Sequence, residues 1–173
     1  MTVAKLLQEH VAADAREEAD RCAMLQLARE LERPLSREQQ RAHFTASALV
    51  VDEVCERICL VWHVKLERLL QPGGHIEPHD ASVEAAALRE AREETELELA
   101  FHPAAPRPFD LDIHEIGARP GEPAHFHLDV RYLLVGSGSP CAGAAWHPLD
   151  EPVEESVARM VRKAVRLRSP AAR

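Results

Sequence analysis

Residues 73–97, "GGHIEPHDASVEAAALREAREETEL", decide how this chain is read. The stretch changes character part-way. Gly73, Gly74 and Pro78 break regular structure, so residues 69–80 read as a loop. From Ser82 onward no glycine or proline intervenes, and Ala, Leu, Glu and Arg favour helix. A helix is therefore expected to about Thr95, capped by Ser82 or Asp80. At about 100° per residue, Glu90, Glu93 and Glu94 fall within an arc of roughly 100°. Val83 and Ala86 point into the same arc earlier in the helix, and Ala87 and Ala91 lie beside it. The acids thus border a small-residue face that can pack, while Arg92 and Glu96 fall on the solvated side.

A charged surface helix with Glu–Arg pairs would account for the acids alone, at about 0.2–0.5 kcal/mol per pair. Carboxylates crowded against a packed face need more than that. One must hold a proton, or a cation must neutralise the group. Oxygen ligands of this kind suit Mg²⁺ or Mn²⁺. The glycines ahead of the helix weigh toward a ligand, because Gly73 and Gly74 let backbone approach it closely.

Around this stretch the chain reads as one α/β or α+β unit. Its 173 residues suit a single core. Residues 2–33 carry Leu6, Leu7, Val11, Met24, Leu25, Leu27 and Leu31 at helical spacing, and Pro34 ends the pattern. "HFTASALVVD" (43–52) and "RICLVWHV" (57–64) read as strands. "HPAAPRP" (102–108) reads as a loop, "FDLDIHEI" (109–116) as a half-buried strand, and "ARPGEP" (118–123) as a turn. "HFHLDVRYLLV" (125–135) is the next strand. Residues 150–168 read as a closing helix, acidic at its start and basic at its end, as the helix dipole favours. The expected division is an N-terminal helical segment, 1–42, packed on the same domain as 43–173.

Composition excludes some functions. Twenty-one Lys and Arg against 29 Asp and Glu give a net charge of -8, which argues against a general nucleic-acid binder. No apolar run approaches the roughly 20 residues of a membrane span. The N-terminus turns acidic too early for a signal peptide. Cys22, Cys55, Cys59 and Cys141 form no metal-binding pair and read as reduced thiols of a cytoplasmic protein.

In strand 125–135, His125, His127 and Asp129 alternate onto one face. Phe126, Leu128 and Val130 share the other, which should be core. Asp110, Asp112 and His114 share a face of the preceding strand. If the two strands pair, a surface rich in His and Asp forms. It could bind phosphate, bind a metal or supply a base, or it could simply be the wet side of a sheet.

The loop and helix together resemble the signature of the Nudix (MutT-like) hydrolases, G-x5-E-x7-R-E-U-x-E-E-x-G-U, where U is bulky and apolar. Gly74 fits the first glycine and Asp80 the first acid. Arg89, Glu90, Glu93, Glu94 and Leu97 fit the later part, with Ala91 at an apolar position. Three departures stand out. The spacing from Asp80 to Arg89 is one residue longer, most simply absorbed at "DAS". His79 stands where many members have glycine. Glu96 replaces the glycine that often needs φ > 0. The resemblance covers roughly residues 43–150.

It implies an α/β/α sandwich around a mixed sheet, and hydrolysis of a nucleoside diphosphate linked to another group. Glu90, Glu93 and Glu94 would hold Mg²⁺ or Mn²⁺, with a backbone carbonyl from the Gly74 region. Arg89 would orient a glutamate, and Glu93 and Glu94 would carry the catalytic role. Glu77, His125, His127 and Asp129 are candidates for substrate contact or support. The implied partner is a small nucleotide-type substrate, with no nucleic acid and no membrane; a homodimer stays open. A nucleotide-sensing module without turnover is the alternative, but such modules often lose motif glutamates that this chain keeps. Isopentenyl-diphosphate isomerase shares the fold but relies on a Cys-Ser-His-Pro segment, and Cys141 is followed here by "AGAAW". Trp62, Trp146, Phe101 and Phe109 are the aromatic candidates for stacking a base, and core packing explains them equally well.

Overall fold

A computed structural model describes residues 2–105, 107–151 and 153–167. Four helices and eight strands follow in the order α1 (Val3–Glu9), α2 (Ala15–Glu30), β1 (Ala42–Val51), β2 (Arg57–His63), β3 (Arg68–Leu70), β4 (Gly73–His75), α3 (Val83–Thr95), β5 (Glu98–Phe101), β6 (Asp110–Ile116), β7 (His125–Ser137), β8 (Ala144–Pro148) and α4 (Glu155–Val165). All eight strands join one mixed sheet. β1 and β7 run parallel at its centre, from Ala42 opposite Phe126 to Val51 opposite Val135. The other pairings are antiparallel. Helices cover both faces, so the fold is the expected α/β/α arrangement.

The central strands are long enough to serve two neighbours each. β1 pairs with β4 through Thr45–Ser47 and with β2 at Val50 and Val51. β7 pairs with β6 over His125–Arg131 and with β5 over Leu134–Ser137. Sequence divides the sheet the same way. Alternate residues of β1 on one face run His43, Thr45, Ser47, then Leu49 and Val51; on β7 they run His125, His127, Asp129, Arg131, then Leu133 and Val135. One face is therefore polar in its first half and apolar in its second. The apolar half packs with α4 through Val157, Met160 and Ala164. On the opposite face, Phe44, Ala46, Leu128, Val130 and Tyr132 pack with Leu6 and Leu7 of α1, Met24 of α2, and Val83, Ala86 and Ala87 of α3. Each large apolar side chain buried this way contributes about 1.5–3 kcal/mol.

The polar half of that face buries most of its charges. Asp110, Asp112, Asp129, Arg131 and Arg159 are all buried. Arg131 donates to Asp129 at 2.8 Å, to Asp112 at 2.8 Å and to Asp110 at 3.4 Å. Arg159 of α4 binds Asp110 at 2.7 Å and donates to the Leu111 carbonyl. Lys163 bridges Asp110 at 2.6 Å and Glu17 of α2 at 2.7 Å. Buried charges demand such partners, because each costs several kcal/mol to desolvate. The lattice ties α2, β6, β7 and α4 together.

Several local expectations are corrected. The helical pattern expected over 2–33 is divided into two helices. Asp14, with φ -152, caps the second by accepting from the Glu17 amide at 2.9 Å. His10 and Glu17, 2.9 Å apart, clasp the joint. Loop 69–80 contains the end of β3 and all of β4, and strands β5 and β8 had no clear signal; each is short and exists through its pairing partner. The closing helix starts at Glu155, and residues 152 and 168 of the expected 150–168 lie outside the described residues. Phe126 is exposed, unlike Leu128 and Val130. It is the second residue of β7, opposite Glu115 at the sheet margin. Among the described residues, no helix is long and apolar enough to cross a membrane, and the four cysteines form no disulfide.

Candidate metal centre and substrate cavity

Helix α3 lies against β1 because its inner face is small. Val83, Ala86, Ala87, Ala91 and Thr95 are its buried residues. Ser82, not Asp80, caps it, accepting from the Ala85 amide at 3.1 Å. This frees Asp80 for Arg89. The Arg89 guanidinium grips Asp80 with two bonds, of 2.9 and 2.8 Å, and also donates to Glu90 at 2.9 Å, Glu93 at 3.1 Å and the His75 carbonyl at 3.0 Å. One cation thus fixes the glycine loop, the helix entry and two glutamates. Its hydrogen bonds to Asp80 hold the Asp80 carboxyl below its usual range.

The loop meets the helix at van der Waals limits. Gly73 donates its amide to Glu94 at 2.9 Å. A Cβ on Gly73 would sit 2.6 Å from the Ser47 Cα, and one on Gly74 would sit 2.7 Å from the Glu90 carboxylate. Any side chain here would push β4 off β1 or fill the space beside Glu90. Burial raises the pKa values of both Glu90 and Glu94, against the opposing pull of Arg89 on Glu90 and of the Gly73 amide on Glu94. Glu93 stands more exposed at the rim.

One side of this cluster borders a cavity of about 640 Å³. Gly73, Gly74 and Glu94 form part of its wall, with Thr45, Ser47 and Asp129 from the central strands, His127 and His114 from β7 and β6, and Trp62 from β2. Asp129 accepts from Ser47 at 2.7 Å and Thr45 at 3.1 Å, in addition to Arg131. The wall is therefore polar beneath and aromatic at one side.

A family model described as the NUDIX domain matches residues 41–166. This chain belongs to the Nudix hydrolase family. Solved structures agree on the fold. A Nudix-family hydrolase from Clostridium perfringens is 22% identical, with a TM-score of 0.54 over 75% of this chain and 99% of that one. A UDP-X diphosphatase is 13% identical, with a TM-score of 0.51 over 94% of this chain and 90% of its own. No protein among the curated ones matches.

Within the Nudix motif, Gly74, Arg89, Glu90, Glu93 and Glu94 come together as one cluster. Its three departures are accommodated locally. The extra residue lies where Asp80 turns back, its amide donating to the Glu77 carbonyl at 2.9 Å, before Ser82 starts the helix. Glu96 takes φ 55 and ψ 19 at the helix end, the left-handed conformation that glycine adopts at lower cost. His79 is exposed. Oxygen donors in excess of their one paired cation, two of them raised by burial, and a backbone cradle without Cβ atoms fit a hard divalent ion. Glu77 does not join them. It lines a separate groove with Pro34, Glu38 and Ile76.

His125, His127 and Asp129 lie on the polar half of the sheet, but not in isolation. His43, His75 and His114 converge on them, with ring centres 4.9 Å apart for His43 and His127 and 5.4 Å for both His75 and His114 with His127. Burial first, and neighbouring imidazoles second, push the His127 pKa down to about 2 and that of His75 to about 4. The sequence reading missed His43, His75, Thr45 and Ser47 as cavity or cluster residues. Their period-two placement in β1 was visible, but the parallel β1–β7 register that seats His43 beside His127 was not. Of the aromatic candidates, Trp62 alone lines the cavity, and it is half-exposed. Phe109 is core, Phe101 meets Tyr132 edge-on, and Trp146 lies under the Arg57 guanidinium.

Proposed function

We propose that this Nudix hydrolase cleaves the phosphoric anhydride of a nucleoside diphosphate linked to another group, using Mg²⁺, with Mn²⁺ as a substitute. The carrying observation is the placement of Glu90 and Glu94, half-buried carboxylates with raised pKa values, against the side-chain-free Gly73–Gly74 backbone, with Glu94 on the wall of a polar cavity. Glu90, Glu93 and Glu94 would hold the ion, with a carbonyl from the Gly74 region. A divalent ion there supplies Lewis-acid polarisation of the phosphoryl group and acidifies water.

The remaining work falls to the chain's own groups. Arg89 fixes Glu90 and Glu93 against the loop, so that the ligand geometry is set before substrate arrives. Glu93 and Glu94 carry the catalytic role. Water oxygen bonds to phosphorus, the bridging P–O bond breaks, and the water's proton passes to a base. Trp62 offers a half-exposed face for a nucleobase, a contact worth about 1–3 kcal/mol. His127 and Asp129, on the same wall, are placed to position the substrate's polar groups.

Residues 1–42 act as part of the same domain in this reading, because Leu6, Leu7 and Met24 share a core with β1 and β7. The cysteines outside any disulfide and the acidic balance suit a cytoplasmic enzyme with no nucleic-acid partner. A panel of nucleoside diphosphate derivatives, assayed with and without Mg²⁺ or Mn²⁺, tests the proposal. Release of nucleoside monophosphate or phosphate from at least one class is expected. A folded protein silent on the whole panel, or one that binds nucleotide tightly without turnover, would overturn it.

A further inference from the structure

The histidine cluster has features that anhydride hydrolysis at the glutamates does not explain. We propose that His43, His125 and His127 bind a transition-metal ion of the Zn²⁺ class, at a site separate from the glutamates of α3. One ring nitrogen from each lies within 4.8 Å of the other two. Tetrahedral Zn–N bonds of about 2.0–2.1 Å place ligand nitrogens roughly 3.3 Å apart. Rotamer shifts on the order of 1 Å would close the site.

The hydrogen bonds set the direction of the lone pairs. Nδ1 of His125 lies 2.9 Å from the Pro123 carbonyl, and Nδ1 of His43 lies 3.3 Å from the Gln39 carbonyl. A carbonyl can only accept, so each Nδ1 carries the proton. The lone pair is left on Nε2. Both Nε2 atoms are buried without a hydrogen-bond partner, in side chains themselves almost wholly buried. The nearest acid to His125 Nε2, Glu122, is 3.8 Å away, beyond hydrogen-bond reach. Buried acceptors left unpaired are costly, at about 1–3 kcal/mol each. A cation between them would satisfy both. A ring N–H donated to a backbone carbonyl is also the arrangement that commonly orients metal-binding imidazoles. Burial keeps His43 and His127 in the neutral, ligating form.

Donor type selects the ion. Imidazole nitrogen favours Zn²⁺, Co²⁺, Ni²⁺ or Cu²⁺, whereas Mg²⁺ prefers oxygen. Three histidines leave a fourth position for water or for Glu122. His127 and Glu122 both line the cavity, so this position adjoins the substrate space.

The test uses the full chain, stripped of metal by chelator dialysis and then titrated with Zn²⁺ in excess Mg²⁺. One Zn²⁺ retained per chain is expected, and Co²⁺ in its place should give the intense visible absorption of a tetrahedral site. His127→Gln, at a half-buried position, should weaken Zn²⁺ by more than about 100-fold, beyond the 10–100-fold typical of losing a supporting residue. A Glu90→Gln, Glu94→Gln double variant should keep its Zn²⁺, so failure of this site and failure of the hydrolase reading are distinguishable. The proposal is overturned if folded wild-type protein retains no Zn²⁺ under Mg²⁺. It is equally overturned if His127→Gln binds as tightly as wild type, or if the glutamate variant alone loses the metal. Wild-type stoichiometry and the Co²⁺ spectrum decide the matter even if a variant misfolds.

Discussion

On α3, the Arg89 guanidinium is shared among Asp80, Glu90 and Glu93, while Glu94 rests on a backbone amide. Across the sheet, Arg131, Arg159 and Lys163 hold Glu17, Asp110, Asp112 and Asp129. Both clusters are built from the same residue types. The second is nearly balanced and, apart from Asp129 at the cavity wall, sealed between α2, β6, β7 and α4. The first is short of cations and borders an open cavity. Balance and closure make a structural tie; a charge deficit beside space makes a place for a ligand. Electrostatics shows the same contrast. Burial raises Glu90 and Glu94. In the lattice, burial also pushes Glu17 upward, yet hydrogen bonds from His10, the Ala13 amide and Lys163 outweigh it and bring its pKa down to about 2.

The comparison breaks most visibly at Glu94. Glu94→Gln should lower turnover on the order of 100–10,000-fold without any loss of folding stability in the absence of divalent ions. Near-normal steady-state rates would remove Glu94 from the proposed ligands. Next comes Arg131→Met, which leaves Asp129 in a buried site with only the Thr45 and Ser47 hydroxyls and takes one of its cations from Asp112. It should cost about 3–5 kcal/mol in urea denaturation. A loss below about 1 kcal/mol would mean that the lattice ties little together.

Acid titration sharpens the contrast through its sign. Glu17 has a depressed folded pKa, so its stabilisation is present above the ordinary 4.5 and is lost as pH falls toward about 2. Glu94 has a raised folded pKa, so its contribution is present below 4.5 and is lost as pH rises through the folded value. Without divalent ions, Glu94→Gln should therefore be more stable than wild type at neutral pH, with the gap closing on acidification. Glu17→Gln should be less stable, and its gap should also close in acid. Denaturation midpoints across pH read both, and equal signs at neutral pH would contradict the assignment.

The smallest effect is expected at Glu96. Its left-handed backbone costs a side chain about 1–2 kcal/mol, while glycine loses roughly 0.5–1 kcal/mol of chain entropy. Glu96→Gly should raise stability by less than about 1 kcal/mol, measured by thermal unfolding. Destabilisation would show that Glu96 makes a compensating contact.

The Nudix motif was legible in sequence because it is local. Gly74, Arg89, Glu90, Glu93 and Glu94 lie within 21 residues, and helical periodicity alone puts three carboxylates on one side. Glu96 could be flagged for the same reason, since helix ends obey local backbone sterics. The alternation of His125, His127 and Asp129 was equally plain. What alternation could not supply was the cover over that face. Arg159 and Lys163 of α4 and Glu17 of α2 come from distant parts of the chain, and they turn what could have been a wet surface into a buried lattice. Strands β4, β5 and β8 were invisible for a related reason: three to five residues carry too little propensity, and the partner strand decides. The sequence by itself determined the helix, its acidic face and the glycines before it, because those depend on backbone geometry over a few turns. The parallel register of β1 on β7 joined His43 to His127, and the packing of α4 set which charges are sealed and which face the cavity. The β1–β7 register spans 84 residues and the Arg159–Asp110 pair 49, and only the assembled sheet fixes them.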